Sequence, residues 1–229
     1  QKKFFNIKEK KMKNKSNSFS RRDMLKLTTC AGVGVALGKI PVFAQASKLK
    51  DIIRRPIPSS GEKIPIVGIG TARRYNVGTS SKERAPLKEV LKRFADMGGT
   101  VVDTAPSYGT AETVVGDLVD ELGYRDKLFF ATKVRKPDAE SGTQELEESF
   151  KILKTKTIDL LQIHNMIGID TMLPIVREWK DEGRIRYVGV STSRGRQYPD
   201  FIKMMEKEDL DFIQPTLEGC RVLKTEHDT

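Results

Sequence analysis

Apolar and polar positions follow two alternating patterns along residues 64–214. Short apolar runs that stop at a polar or small residue are typical of buried parallel strands. Between these runs, apolar residues recur at three- and four-residue spacing, which predicts amphipathic helices. The six runs end at Gly70, Asp103, Lys133, His164, Ser191 and Gln214. The helical stretches cover 83–97, 112–122, 143–153, 171–182 and 198–207. The pattern therefore predicts regular strand–helix alternation with a parallel sheet.

The spacing of the run ends predicts the fold class. Successive ends lie 23 to 33 residues apart, a period that suits a (β/α)8 TIM barrel with its chemistry at the carboxyl ends of the strands. A complete barrel needs roughly 250 residues. Because only six such units are present, the prediction is an α/β fold with an incomplete barrel. A doubly wound open sheet is the alternative, but Gly68 and Gly70 lack the third glycine of the dinucleotide-binding fingerprint.

The net charge of +10 belongs to the start of the chain. Residues 1–44 carry eleven Lys and Arg against two acidic residues, whereas the remaining 185 residues carry 30 against 29. The charge of residues 45–229 therefore gives no indication of nucleic-acid binding. Cys30 and Cys220 are too few for a disulfide framework, and His164 and His227 are too few for a histidine-rich metal site.

The basic start resembles a targeting segment. Residues 20–26, SRRDMLK, resemble the twin-arginine export signal, and a modestly apolar stretch follows over 27–38. Ala44 and Ala46 then offer the small-x-small pattern of signal peptidase cleavage. We expect a leader over 1–46, the twin-arginine export machinery as a partner and a periplasmic location. The apolar stretch is too short for a stable membrane anchor. The alternative is a basic tail with an accidental arginine pair, which leaves the protein cytoplasmic.

Four chemically suited side chains lie at or just after the predicted strand ends. They are Asp103, Tyr108, Lys133 and His164. An ammonium beside a phenol stabilises the phenolate, and a carboxylate can hold that ammonium in place. An imidazole nearby can orient a carbonyl oxygen. Taken singly, each residue has a plainer interpretation as a helix-capping Asp, a half-buried Tyr, a solvated Lys or a hydrogen-bonded structural His.

Three motifs together resemble the aldo-keto reductase family. They read VVDTAPSYG, FFATKV and LLQIHN, and the resemblance extends from Ile64 to Gln214. It implies an eight-stranded barrel that reduces a small-molecule aldehyde or ketone with NADPH. It further implies that Tyr108 is the general acid supported by Lys133, that Asp103 pairs with Lys133, and that His164 orients the substrate carbonyl.

The resemblance also implies a set of cofactor-binding residues around the nicotinamide. They are Gly70, Thr71, Asp103, Ser191, Thr192 and Gln214. Thr192 departs from the family, in which Asn is usual at this position. The residues that hold the adenosine phosphate lie in later strands of the family, so the resemblance leaves the choice between NADPH and NADH open, as well as the substrate.

The sequence departs from the family after Gln214. We expect a partial barrel over 47–214 and a tail foreign to the fold over 215–229, as a truncated gene would produce. Three alternatives to a reductase follow. They are a non-catalytic NADP-binding barrel, an inactive fragment of a reductase, and a barrel isomerase that uses Lys133 as a Schiff-base amine.

Overall fold

The computed structural model of the protein describes residues 52–216. The predicted leader, and the predicted tail beyond its first two residues, lie outside this range. The strands are β1 (Arg54–Pro56), β2 (Lys63–Pro65), β3 (Ile69–Gly70), β4 (Val101–Asp103), β5 (Phe129–Val134), β6 (Ile158–His164), β7 (Ile185–Ser191) and β8 (Phe212–Gln214). The α-helices are α1 (Ser81–Asp96), α2 (Ala111–Leu122), α3 (Ala139–Ile152), α4 (Ile169–Asp181) and α5 (Tyr198–Lys207). Among these helices, none is long and apolar enough to cross a bilayer.

The six strands β3 to β8 form one sheet in which every neighbouring pair is parallel. Their order in the sheet is their order in the chain, and β1 and β2 form a separate antiparallel hairpin. A doubly wound sheet reverses its strand order at a switch point, whereas this one does not. The sheet is curled into part of a barrel, so the predicted α/β fold with an incomplete (β/α)8 barrel is confirmed.

Strand β5 shows how the sheet separates two layers of side chains. Successive residues of a strand point to opposite faces. Phe129 and Ala131 belong to the apolar cluster on the inner face of the curl. Phe130 and Val134 belong to the clusters that pack under the helices on the outer face. Lys133 therefore shares the inner face with Phe129 and Ala131, and its neighbour on each side faces the helices.

The first apolar run, which begins at Ile64 and ends at Gly70, forms parts of two short strands instead of the single strand that one continuous run predicts. Strand β2 ends at Pro65, and β3 begins only at Ile69. Proline has no N–H to donate to a sheet ladder, so it interrupts a central strand. The next two residues, Ile66 and Val67, are 56% and 58% exposed. The apolar pattern was therefore a poor guide to burial here.

Helix α3 begins four residues earlier than the apolar pattern over 143–153 predicts. Asp138 precedes the helix, and its carboxylate accepts from the Ser141 N–H at 2.9 Å and from the Ser141 hydroxyl at 2.6 Å. A side-chain acceptor at this position satisfies an N–H that would otherwise lack a partner. The first turn of the helix is therefore set by its cap and not by apolar periodicity.

Candidate active site

The parallel register brings polar strand ends to one edge of the sheet. Gly70 pairs with Asp103, His164 pairs with Ser191, and Ser191 pairs with Gln214. Lys133 lies one residue before the end of β5. This edge is the carboxyl edge of the curled sheet, where barrel proteins carry their chemistry.

Lys133 is held on the inner face by two oxygens. Its side chain is 2% exposed, and its ammonium donates to Asp103 Oδ1 at 2.7 Å and to the carbonyl oxygen of Thr104 at 2.9 Å. A buried ammonium is stable only when its hydrogens are taken up by such acceptors. The predicted Lys133–Asp103 pair is therefore present, with the backbone of the β4 end as the second partner.

Tyr108 lies beside this pair in the turn that joins β4 to α2. The turn is a short 3₁₀ segment, Pro106–Tyr108, followed by Gly109 at φ +67°. A side chain at Gly109 would also meet Asn76, whose Oδ1 would lie 2.3 Å from the added Cβ. The Lys133 ammonium lies 5.0 Å from the centroid of the Tyr108 ring, close enough for an electrostatic attraction to the ring.

His164 faces the same space from the end of β6. Its Nδ1 lies 2.9 Å from the Ser191 hydroxyl. Partial burial, together with the positive charges of Lys133, Arg135 and Arg194, lowers the pKa of His164 from 6.5 to about 4. The imidazole is therefore neutral at neutral pH.

The neutrality of His164 can be measured. An ordinary imidazole titrates near ~6.5, whereas His164 should keep constant ring C–H resonances from about pH 8 down to about pH 6, because its pKa lies well below this range. NMR titration of the protein tests this, and the chain has only one other histidine, His227. A His164→Gln variant identifies the resonance. A midpoint near pH 6.5 for His164 would contradict the expected burial and charge effects.

The side chains at the carboxyl edge surround a pocket of about 150 Å³. It is lined by Tyr108, Lys133, His164, Ser191, Thr192, Ser193, Gln214, Pro215 and Thr216. The structure thus brings six of the predicted site residues to one pocket. Asp103 does not line the pocket but accepts a hydrogen bond from the Lys133 ammonium. Within residues 52–216, no group of His, Cys, Asp or Glu side chains is arranged to bind a metal ion.

Gly70 and Thr71 lie at the neighbouring strand end and do not line this pocket. Thr71 is fully buried, and its N–H and its hydroxyl both donate to the carbonyl oxygen of Asp103 at 3.0 Å. The Thr71 hydroxyl is thus engaged in joining β3 to β4. Gly70 leaves open space, since a Cβ added there would meet no atom within 4 Å.

Sequence reasoning missed Gln162, which lies on β6 two residues before His164. Its Nε2 lies 3.5 Å from Asp103 Oδ1, and its Oε1 is buried without a hydrogen-bond partner among the described residues. A buried amide oxygen without a partner is costly. The two-residue spacing from His164 was the signal, because it places both side chains on one face of the strand.

A second unpredicted group joins the loops that follow β6 and β7. The Thr192 hydroxyl donates to Gln197 Oε1 at 2.8 Å, and Gln197 Nε2 donates to the carbonyl oxygen of Asn165 at 2.9 Å. Asn165 Oδ1 accepts from the Ser193 N–H at 2.9 Å. These bonds fix the backbone that carries Thr192, so the residue that departs from the resembled family is held by its own loop.

The donor set of the pocket suits a planar ligand that carries a carboxamide. Gln214 offers an amide donor and an amide acceptor on an exposed side chain, and Ser191 offers a hydroxyl beside His164. The Thr192 hydroxyl is already bonded to Gln197 and to the Arg194 N–H. Ser191 and Gln214 are therefore the side chains best placed to hold such a ligand.

The fold and the site define an α/β-barrel protein with a polar site at the carboxyl ends of its strands. Residues 66–225 match the model of the Aldo/keto reductase family, and the chain belongs to this family. The match includes every predicted site residue. It also continues into 215–229, and the predicted domain boundary at 214 stays a prediction.

Individual relatives agree with this assignment. Aldo-keto reductase YhdN of Bacillus subtilis is 30% identical over 160 residues, which is 63% of this chain and 48% of that protein. Methylglyoxal reductase YeaE of Escherichia coli is 30% identical over 145 residues, 60% of this chain and 49% of that protein. The crystal structure of an aldo/keto reductase from Klebsiella pneumoniae in complex with NADP and acetate has a TM-score of 0.51 and 27% identity, and the match covers 61% of this chain and 50% of that one. The chain spans about half the length of the curated relatives it matches.

Proposed function

We propose that this protein reduces a small aldehyde or ketone to an alcohol with NADPH. The observation that carries the proposal is the convergence of Tyr108, Lys133 and His164 on one pocket, with Lys133 held by Asp103. Family membership supports the reaction class. The relative named methylglyoxal reductase supports a small carbonyl compound as the substrate.

The side chains divide the work of protonating the carbonyl oxygen. The Tyr108 hydroxyl gives its proton to that oxygen, and the Lys133 ammonium stabilises the phenolate that remains. Asp103 keeps the ammonium in place. His164 is neutral, and its Nδ1 lies 2.9 Å from the Ser191 hydroxyl. With Nδ1 as the acceptor of that hydroxyl, the imidazole proton lies on Nε2 and donates to the same carbonyl oxygen.

The nicotinamide end of NADPH fits the hydrogen-bonding groups of the pocket. Ser191 and Gln214 would hold the carboxamide of its nicotinamide, beside the pocket that Tyr108 and Lys133 line. The Klebsiella pneumoniae relative was crystallised with NADP, which favours the same cofactor here. When bound, NADPH supplies the hydride that reduces the carbonyl carbon. The side chains named above orient the substrate and deliver the proton.

Two measurements on the protein test the proposal: its binding of NADPH and its rate of carbonyl reduction. We expect saturable NADPH binding, followed by the fluorescence of the nucleotide, with a Ser191→Ala variant binding more weakly. We also expect NADPH oxidation in the presence of short-chain aldehydes and ketones. NADH in the same assays shows which nucleotide is preferred.

The other outcomes separate the alternatives. Tight NADPH binding without carbonyl reduction across the panel would contradict the reductase and favour a non-catalytic NADP-binding barrel. A folded protein that binds neither nucleotide would favour an inactive fragment. Export by the twin-arginine machinery to the periplasm is part of the proposal, and the sequence of residues 20–26 is its support.

A further inference from the structure

A buried carboxyl group lies on the outer face of the sheet, and the candidate active site lies on the inner face. Glu112, the second residue of α2, is 3% exposed. One of its oxygens accepts from the Thr132 hydroxyl on β5 at 2.5 Å, and the other lies 3.2 Å from the Ser149 hydroxyl on α3. Glu112 thus joins three elements at one point of the outer layer.

The position of Glu112 connects it to both members of the proposed proton-transfer pair. Thr132 is the neighbour of Lys133 on β5, and the two side chains point to opposite faces of the sheet. Tyr108 lies four residues before Glu112, in the turn that leads into α2. On the inner face, the Lys133 ammonium and the Tyr108 ring centroid are 5.0 Å apart. The Glu112–Thr132 bond therefore fixes, from the outer face, the two segments whose separation the proposed chemistry needs.

Glu112 lies in the lining of a cavity of about 380 Å³. The cavity is also lined by Lys136 from the loop after β5 and by Glu145 and Glu148 from α3. Lys133 lies on the opposite face of the sheet from Glu112, so its charge acts on Glu112 through the sheet. Burial is the main cause that raises the pKa of Glu112, and the Thr132 and Ser149 hydroxyls oppose it. Weaker effects come from Glu145, which raises the pKa, and Lys133, which lowers it, and the net result is a pKa raised from 4.5 to about 7.

We propose that Glu112 is a positioning residue whose protonation state controls the placement of Tyr108 relative to Lys133. The inference rests on the proposed reductase function. The neutral carboxyl group fits the buried site and keeps α2 against β5. The carboxylate has only two hydroxyl donors in a site with little water, so ionisation draws water through the cavity and loosens the start of α2. Tyr108 then moves away from Lys133.

The direction of the effect of pH on kcat follows from the proposal that the protein is active when the Glu112 carboxyl group is neutral. Below the midpoint Glu112 holds its proton, and above it the carboxylate accumulates. With a midpoint at about pH 7, kcat should fall about tenfold between about pH 6 and about pH 8, the change in the protonated fraction of one group. His164 titrates near 4 and does so outside this window.

Three variants isolate this effect in the pH profile of kcat. Glu112→Gln keeps the shape of the side chain without the ionisation, so its profile should lose the inflection near neutral pH. Thr132→Val removes a hydroxyl that lowers the pKa of Glu112, so the inflection should move to higher pH. Glu148→Gln is the matched control, because Glu148 lines the same cavity on a 59% exposed side chain, and it should leave the profile unchanged.

A second measurement works without turnover. The ring resonances of Tyr108, assigned with a Tyr108→Phe variant, should shift with a midpoint near pH 7 in the protein and stay constant in Glu112→Gln. This shift in a protein that reduces no carbonyl would leave the inference standing and would overturn the reductase function. Turnover whose pH profile is the same in Glu112→Gln, together with Tyr108 resonances that shift equally in both proteins, would overturn the inference alone.

Discussion

Tyr108→Phe is expected to lower kcat for carbonyl reduction by about 10²- to 10⁴-fold, the contribution typical of a positioned general acid. The substitution removes one hydroxyl and keeps the ring that lies 5.0 Å from the Lys133 ammonium. The attraction between ring and ammonium therefore remains, and NADPH binding should change little. Steady-state kinetics together with nucleotide titration measure the two effects separately.

Tyr124→Phe is the matched control for this substitution. The Tyr124 hydroxyl donates to Asp96 at 2.9 Å, away from the pocket, and its removal should leave kcat within about twofold of the unmodified protein. If Tyr108→Phe retained kcat to the same degree as Tyr124→Phe, Tyr108 would not be the proton donor. The mechanism proposed above would then be wrong, although the family assignment would be unaffected.

Lys133→Met is expected to have an effect on kcat of similar size, about 10²- to 10⁴-fold. The thioether has a similar length but carries no charge, so nothing stabilises the phenolate of Tyr108 as the proton leaves. The same change leaves Asp103 without the ammonium that now lies 2.7 Å from its Oδ1. Because Asp103 is partly exposed, water can replace part of this interaction, and we expect a loss of about 1–3 kcal/mol in the free energy of unfolding.

Kinetics and denaturant unfolding of the same preparation distinguish these two effects of Lys133→Met. Lys151→Met is the control, since Lys151 is 73% exposed and its ion pair with Glu148 has a separation of 3.7 Å. An exposed pair of this kind contributes about 0–1 kcal/mol, so both readouts should stay near those of the unmodified protein. A folded Lys133→Met protein with undiminished kcat would remove Lys133 from the mechanism.

Much of the fold could be predicted because strand ends are encoded locally. The apolar runs stop at Asp103, His164, Ser191 and Gln214, and the strands end at these residues. A buried strand must be apolar along its length, and the first polar residue marks the point where it reaches the edge of the sheet. The hairpin of β1 and β2 was missed because the apolar pattern continues through Pro65 into two exposed residues.

The sequence predicted the site residues that lie at strand ends. It did not predict the residues whose role depends on contacts with distant parts of the chain. Gln162 and Glu112 are polar residues within buried elements, and the sequence alone does not show which partners satisfy them. The helical spacing of Glu112 with Val115 and Leu118 placed it on the buried face, which was an available signal. Its partners Thr132 and Ser149 lie 20 and 37 residues away in the chain. Only the packed structure brings them together.

The order of the strands has a consequence for how the protein is made. From β3 to β8, each strand lies beside the strand that precedes it in the chain. A ribosome adds about 5–20 residues per second, and folding begins at the end made first. A strand and its helix, roughly 30 residues long, therefore emerge every few seconds and meet a sheet edge that has just formed. Loop closure costs a similar entropy at each step, so the sheet can grow during synthesis in the order of the chain. From β4 to β8, each strand meets a partner that was made just before it.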